Sequence, residues 1–202
     1  MVSMMYKLIA LDMDGTLLNS DKQISAENKV AIAAAREKGV VVVLASGRPL
    51  NGMKPQLQEL GMTTEDDYVL SYNASLVQKV KSEEVIRSQI ITGVDAKAIA
   101  KLAKKLGVHV HAFSQEKGLI TPQLNHYTEH ESSITGMPIT VIDFEELADD
   151  EQIMKAMMID EPELLSAAIK QLPAALYEQF TIVQSAPFFL EFLNPNSNKG
   201  VG

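Results

Sequence analysis

The sequence predicts an α/β fold in which a parallel sheet forms the core and a second, α+β unit is inserted into it. In the first part of the chain, short apolar runs alternate with helical segments, and this rhythm is typical of parallel strands joined by right-handed crossovers. After about residue 82, strands, helices and a hairpin follow one another without that regular alternation. With 202 residues, 46% of them hydrophobic, the chain is large enough to bury a substantial core.

Three strands and two helices are predicted in the first part. Four consecutive valines lie in the second strand, which favours a position buried on both faces of a sheet. The first helix has Ser25 as its capping residue and Gly39 beyond its end, and Pro55 in the second helix predicts a kink or a late start. The strands cover residues 6–11, 40–46 and 68–72, and the helices cover residues 25–38 and 50–60.

The later part is predicted to be a separate α+β unit. Its alternating segment VHVHAF, at residues 108–113, predicts a half-exposed strand with His109 and His111 on the same solvent-facing side. Further strands are expected over residues 85–91 and 153–159, helices over 95–106 and 161–172, and a hairpin over 180–184 and 188–193. The predicted division is residues 1–82 for the first part of the core, 83–194 for the inserted unit and 195–202 for the start of the return to the core.

Composition excludes several classes of function. A formal net charge of −8 without a basic cluster argues against a nucleic-acid partner. The absence of cysteine excludes disulfides, thiolate metal sites and cysteine nucleophiles. Acids interrupt the apolar N-terminal run, so it does not resemble a secretory signal, and no run reaches the roughly 20 apolar residues that span a bilayer. We therefore expect a cytoplasmic protein without membrane association, whose oligomeric state the sequence does not indicate.

Two acids follow directly after the first predicted strand, in the segment LIALDMDGTLL. A carboxylate at the edge of a core costs several kcal/mol unless it is paired, so Asp12 and Asp14 need a partner. Residues two apart at a strand end point the same way, and Gly15 and Thr16 supply a turn, a hydroxyl and backbone amides. This combination predicts a site for a metal ion and a phosphate. The alternative is that both acids are ordinary turn or cap residues.

Three other segments carry candidate residues. Ser46 and Gly47, in LASGRP after the second strand, suit a phosphate at a helix N-terminus, although Ser46 alone would equally be a helix cap. Asn73 follows the third strand in YNAS, and Lys199 stands near the end in NPNSNKGVG, where a surface lysine is the simpler reading. Lysine is nevertheless a common phosphate ligand.

The segment D-x-D-G-T-L after an apolar strand resembles the first signature of the haloacid dehalogenase (HAD) superfamily, and SGRP resembles its Cof-type branch. The resemblance implies a Rossmann-like core, an α+β cap of the C2 type at residues 83–194, and magnesium-dependent hydrolysis of phosphate monoesters, sugar phosphates above all. It implies that Asp12 is the nucleophile and that Asp14 is first the general acid and then the general base. A carboxylate that attacks an anionic phosphate needs a magnesium ion to screen the repulsion between the two negative charges.

The same resemblance implies roles for the remaining candidates. Asp12 and Asp14 would hold Mg²⁺, and Arg48 and Asn73 are candidates for substrate binding. One departure concerns Ala74, because Cof-type proteins usually have glycine there and alanine would have to adopt a backbone that favours glycine. The phosphate would be held by Met13, Thr16, Ser46, Gly47 and Lys199.

The fourth HAD signature, an acidic pair that follows the lysine, has no match among these residues. We therefore expect the chain to be about the N-terminal three quarters of a longer Cof-type protein, with the strand that carries Asp12 left at a sheet edge. Two alternatives to hydrolysis stay open at this point. One is a catalytically incomplete fragment that binds phosphate ligands, and the other is a phosphomutase that uses the same aspartyl-phosphate.

Overall fold

The structure is a computed structural model that describes residues 6–197. These residues form two compact units, one that ends at Ser88 and one that begins at Gln89. The longest described helix has 14 residues, and no helix in this range has the length and apolar character needed to cross a bilayer.

The first unit is built on a five-stranded sheet in the order β1-β2-β3-β4-β5. The first three strands are parallel and the last two are antiparallel, so the predicted α/β class with a parallel core is confirmed. Within the described residues, β1 forms one edge of this sheet. Its elements are β1 (Leu8–Asp12), α1 (Ala26–Glu37), β2 (Val41–Ala45), a 3₁₀ turn (Leu50–Met53), α2 (Lys54–Glu59), β3 (Tyr68–Ser71), a second 3₁₀ turn (Tyr72–Ala74), β4 (Leu76–Lys79) and β5 (Val85–Ser88).

The local signals for the helices of this unit are confirmed. The Ser25 side chain accepts a hydrogen bond from the Asn28 amide at 3.1 Å, and Gly39 follows the helix with a φ of +79°. Pro55 lies in the first turn of α2, which begins late because a 3₁₀ turn precedes it. These signals depend only on residues close in the sequence, so they can be recognised without the tertiary fold.

The predicted strand over residues 85–91 is wrong as a single element. Val85–Ser88 is β5, which pairs with β4 in the first sheet, whereas Ile91–Thr92 is β6, which pairs with a strand of the second unit. Strand β4 itself was not predicted. The division between units therefore lies after Ser88 and not after residue 82. Apolar patterning identifies a strand without indicating which partner it pairs with, because pairing depends on residues distant in the chain.

The second unit contains a seven-stranded, mostly antiparallel sheet in the order β11-β12-β10-β7-β8-β9, with β6 beside β10. The predicted hairpin is present as the antiparallel pair β11 and β12. The elements are β6 (Ile91–Thr92), α3 (Gly93–Leu106), β7 (His109–Ser114), β8 (Gly118–Thr121), α4 (His126–Thr135), β9 (Ile139–Val141), a 3₁₀ turn (Phe144–Glu146), β10 (Gln152–Ile159), α5 (Pro162–Ile169), α6 (Leu176–Gln179), β11 (Thr181–Ala186) and β12 (Phe189–Leu193).

Strand β7 is buried on both faces, which corrects the prediction of a half-exposed strand. Val110 and Ala112 lie in the apolar core that α3 and α5 also line. On the other face His111 has no exposed surface, and its ring nitrogens contact the Thr128 hydroxyl at 3.1 Å and the Met157 sulfur at 3.2 Å. Thr128 belongs to α4. The alternation of apolar and polar residues in VHVHAF therefore arises because the second face of the strand packs against buried polar groups, and not because it faces solvent.

A buried ionic cluster lies in the second unit, on β10, β12 and α4. The Lys155 ammonium is 3.1 Å from a carboxylate oxygen of Glu191 and 3.7 Å from one of Glu131, and it lies 5.0 Å from the centre of the Phe113 ring. None of the three charged side chains is more than 8% exposed. Burial raises the pKa of Glu131, the charge of Lys155 opposes this rise, and the charge of Glu191 adds to it. One ammonium therefore compensates two buried carboxyl groups.

We expect Lys155→Met to destabilise the protein by about 3–5 kcal/mol, because it leaves two carboxyl groups buried without their cation. Urea unfolding at neutral pH measures this loss. Lys97→Met is the matched control: it removes an ion pair with the exposed Asp149 and should cost no more than about 1 kcal/mol. An equal decrease in the free energy of unfolding in the two variants would contradict the view that Lys155 compensates the two buried carboxyl groups.

The buried histidine predicts a pH dependence of stability. Burial of the ring, and secondarily the charge of Lys155, lowers the pKa of His111 to about 3, whereas in the unfolded chain it is about 6.5. Below pH 6.5 His111 therefore binds a proton in the unfolded state but stays neutral in the folded state. The contribution of His111 to the free energy of unfolding is complete above that pH and decreases as the pH falls toward 3.

The His111 contribution should decrease by about 2 kcal/mol between pH 8 and pH 5. Urea unfolding across this range, compared between the wild type and His111→Gln, isolates it from the other titrating groups. We expect a shallower acid loss of stability in His111→Gln. In His126→Gln, which removes an exposed histidine, the pH dependence should match that of the wild type.

Candidate active site

The candidate residues lie at the ends of three neighbouring strands of the first unit. Asp12 is the last residue of β1, and its Cα pairs with that of Ala45 at the end of β2. Ala45 pairs in turn with Leu70 of β3. Because parallel strands end at the same edge of a sheet, the loops that follow them meet there.

The chain turns sharply after β1, and its own backbone holds the turn. The carbonyl of Asp12 accepts a hydrogen bond from the Leu17 amide at 3.1 Å, and that of Met13 accepts one from the Thr16 amide at 3.4 Å. Gly15 has a φ of +79°, in the left-handed region that favours glycine. The predicted turn is therefore present, and it depends on this glycine.

The residue between the two acids anchors the loop. The Met13 side chain is fully buried in the same apolar cluster as Leu44 and Met53. Asp12 is partly exposed and Asp14 is exposed, so the carboxylates remain at the surface of this core while the methionine enters it. Any phosphate contact of Met13 must then come from its backbone.

Asp14 is held by two cations from different loops. Its carboxylate accepts hydrogen bonds from Arg48 Nη2 at 2.8 and 3.1 Å and from Lys22 Nζ at 2.9 Å. Partial burial by itself raises the pKa of Asp14, but the hydrogen bonds and charges of Lys22 and Arg48 together outweigh it, so the pKa lies below its ordinary value. The structure thus brings together Asp14 and Arg48, two of the predicted site residues.

The loops after β2 and β3 are joined by hydrogen bonds. Ser46 is buried, and its hydroxyl accepts a hydrogen bond from the Arg48 amide at 3.2 Å. The carbonyl of Ser46 accepts one from the Asn73 amide at 2.9 Å, and the carbonyl of Arg48 accepts one from the Tyr72 amide at 3.1 Å. Ser46, Arg48 and Asn73 are therefore neighbours in one rigid arrangement.

Three consecutive residues after β3 adopt left-handed backbone. Tyr72, Asn73 and Ala74 have φ values of 50°, 57° and 70°. Ala74 thus takes the conformation that favours glycine, as expected, and such residues cost of order 1–2 kcal/mol each. The strained turn brings Asn73 close to Gly47, where an added Cβ would lie 3.4 Å from the Asn73 amide group. Backbone strain of this kind concentrates at functional sites.

Lys22 is a member of the site that sequence reasoning missed. It has a φ of 59°, and its amide donates to the Asn19 carbonyl at 3.0 Å. The Asn19 side chain accepts hydrogen bonds from the amides of Asp21 and Gln23, which closes the turn. The asparagine followed by polar residues was the available signal for a turn. Nothing local, however, indicated that the turn returns to Asp14.

The acids fit a magnesium ion by their donor chemistry. Mg²⁺ is commonly bound by one or two carboxylates together with waters and substrate phosphates, and Asp12 and Asp14 supply hard oxygen donors at the carboxyl end of β1. Between residues 6 and 197, no three acidic or histidine side chains form a metal cage. Lys199, the predicted phosphate ligand near the end of the chain, lies outside the described residues.

Comparison with known proteins identifies relatives of the whole chain. A family model described as haloacid dehalogenase-like hydrolase matches residues 9–202, which include every predicted site residue. A protein of Streptococcus pyogenes serotype M6, provisionally named a phosphatase, is 42% identical over 199 residues, which cover 98% of this chain and 73% of the relative. YxeH of Bacillus subtilis, also provisionally named a phosphatase, is 39% identical over 198 residues, which cover 97% of this chain and 73% of the relative.

A solved structure gives the same assignment at the level of the fold. A haloacid dehalogenase-like hydrolase from Bacteroides thetaiotaomicron superposes with a TM-score of 0.80 and 28% sequence identity. The match covers 98% of this chain and 74% of that protein. The predicted architecture of a parallel core with an inserted α+β unit is consistent with it.

The ion pairs of Asp14 yield a prediction that needs no substrate. Arg48→Met should raise the pKa of Asp14 toward its ordinary value, because it removes one of the two cations that stabilise the carboxylate. Carbon-13 NMR titration of the aspartate carboxyl groups measures the change. Arg36→Met is the matched control, since Arg36 pairs with Asp67 at 2.7 Å and its loss should move Asp67 alone. An unchanged Asp14 titration in Arg48→Met would refute the assigned pairing.

Proposed function

The chain belongs to the haloacid dehalogenase-like hydrolases, and we propose that it hydrolyses small phosphate monoesters, sugar phosphates in particular, through an aspartyl-phosphate on Asp12. Its membership of this family confirms the resemblance seen in the sequence motifs. The observation that carries the proposal is the meeting of Asp12, Asp14 and Ser46 at one edge of the parallel sheet. Phosphatases named among the relatives support the same reaction class.

In the first step the Asp12 carboxylate attacks phosphorus. A bond forms between a carboxylate oxygen and phosphorus, the bond from phosphorus to the ester oxygen breaks, and Asp14 gives its proton to that departing oxygen. In the second step a bond forms between a water oxygen and phosphorus, the bond between phosphorus and the Asp12 oxygen breaks, and Asp14 takes the proton that the water loses. Inorganic phosphate is released and Asp12 is regenerated as a carboxylate.

The contacts of Asp14 bear on both of its proposed roles. Lys22 and Arg48 favour its ionised form, which is the form that accepts a proton from water in the second step. For the first step Asp14 must carry a proton. A phosphate dianion that binds Arg48 would compete with Asp14 for this cation and so favour protonation of the carboxyl group. The substrate therefore helps to prepare its own proton donor.

The remaining residues bind the phosphoryl group in this proposal. The hydroxyl of Ser46, the amide of Gly47, the backbone at Met13 and the residue Thr16 would contact its oxygens, as polar groups at strand ends and helix starts do in phosphate sites. Mg²⁺, held by Asp12 and Asp14, would screen the repulsion between carboxylate and phosphate. Lys199 would add a further positive charge, and Asn73 would contact the substrate.

The second unit is assigned the role of a cap, because it lies in the sequence between the third parallel strand and the predicted lysine signature. Caps in hydrolases exclude water and select leaving groups. The acidic chain, at a net charge of −8, and the absence of a basic cluster in its sequence support a small metabolite as the substrate, and not a nucleic acid.

The test is magnesium-dependent hydrolysis of p-nitrophenyl phosphate and of a panel of sugar phosphates. Asp12→Asn keeps the shape of the side chain but removes the nucleophile, so we expect kcat to decrease by on the order of 1,000-fold or more. Asp66→Asn, at an exposed acid just before β3 and therefore at the end of that strand opposite the candidate site, should retain wild-type activity. Turnover that persists in Asp12→Asn would refute the nucleophile, and phosphate binding without turnover in the wild type would favour the ligand-binding alternative.

A further inference from the structure

Lys22 lies in a turn that is anchored in the core of the first unit. Leu18 and Ile24, which flank this turn, are buried and pair with each other in a β-bridge. Between them the Asn19 amide donates to the Gln23 carbonyl at 3.0 Å, and Lys22 occupies the left-handed conformation at the tip. Lysine gains nothing from this conformation, whereas glycine or asparagine would adopt it more easily. The backbone cost is consistent with a function for the side chain.

Asp14 has two cationic partners. Its carboxylate is bound by Arg48 and by Lys22, which come from two different loops. The Lys22 side chain is 65% exposed and that of Arg48 only 21%. Lys22 is therefore the cation that a ligand arriving from solvent meets first.

The position of Lys22 relative to Asp14 limits what it can contact. If Asp14 donates a proton to the ester oxygen, that oxygen lies about 3 Å from its carboxylate. Lys22 Nζ is 2.9 Å from the same carboxylate, so the ammonium lies within about 6 Å of the ester oxygen. An anionic group two carbons further along the leaving group can therefore come within hydrogen-bond distance of the ammonium.

The surface beside Lys22 is polar and open. An open cavity of about 460 Å³ is lined by Lys22 together with the turn after β1 and the start of α1, including the polar residues Thr16, Asn19, Ser25 and Asn28. Its size suits part of a small ligand. Hydroxyl and amide groups beside an ammonium complement a hydroxylated, anionic fragment.

We propose that Lys22 is a specificity-determining residue that binds a carboxylate or second phosphate on the leaving group of the substrate. This inference rests on the proposed function, because it takes Asp14 as the donor to the leaving oxygen. It narrows the proposed substrates, sugar phosphates in particular, to those that also carry a carboxylate or a second phosphate.

The test compares 3-phosphoglycerate with glycerol 3-phosphate, which differ by a carboxylate in place of a hydroxymethyl group. Binding of each is measured by calorimetry on the Asp12→Asn protein with and without Lys22→Met. We expect the affinity for 3-phosphoglycerate to decrease roughly tenfold in Lys22→Met, and the affinity for glycerol 3-phosphate to change less than about threefold. Lys22→Arg should keep most of the preference, and Lys29→Met, which removes an exposed pair with Glu59, should keep all of it.

A second variant guards against misfolding. Lys22→Asn removes the charge but suits the left-handed backbone, so it should show the same loss of preference with a normal melting temperature. A preference that survives both neutral variants, or a wild-type site that binds the two ligands equally or not at all, would overturn the proposal. Because binding is measured without turnover, the two proposals can fail separately. A charge-dependent preference in a protein that hydrolyses neither p-nitrophenyl phosphate nor any sugar phosphate of the panel would refute the proposed hydrolysis while supporting Lys22 as an anion-binding residue.

Discussion

The parallel pairing of β1 with β2 and of β2 with β3 is the constraint on which the site depends. Asp12, Ala45 and Leu70 lie in register across the three strands, so the loops that follow them begin at one edge. Hydrogen bonds between the second and third loops then hold Ser46 and Asn73 together. The acids tolerate their place beside a buried core because that edge is also where cations and backbone amides gather.

The electrostatics of the edge are those of a site prepared for an anion. Asp14 does not stand as an unpaired acid but serves as the common partner of Lys22 and Arg48, from two different loops. Arg48 and Lys22 are both side chains that can bind a phosphate oxygen.

The second unit also has carboxyl groups that are compensated by a cation, in this case in its interior. Its sheet has one apolar face, which packs against α3 and α5, and one face where Lys155 compensates Glu131 and Glu191. Buried ion pairs are costly to form and more costly to break, so they specify a packing more than they strengthen it. His111 shares this buried polar layer as a neutral ring.

Local chemistry in the sequence was enough to determine the α/β class, the helix capped by Ser25, the late start of α2 and the hairpin, because apolar period, caps and proline act over a few residues. The candidate acids were recognised from their place after an apolar strand, and the left-handed backbone at Ala74 was expected from the resemblance to Cof-type proteins. Only the tertiary structure decided that residues 85–91 divide between two sheets, that His111 is buried, and that Lys22 returns to Asp14. Each of these depends on a partner distant along the chain, and the free energy of pairing with such a partner is absent from any local pattern.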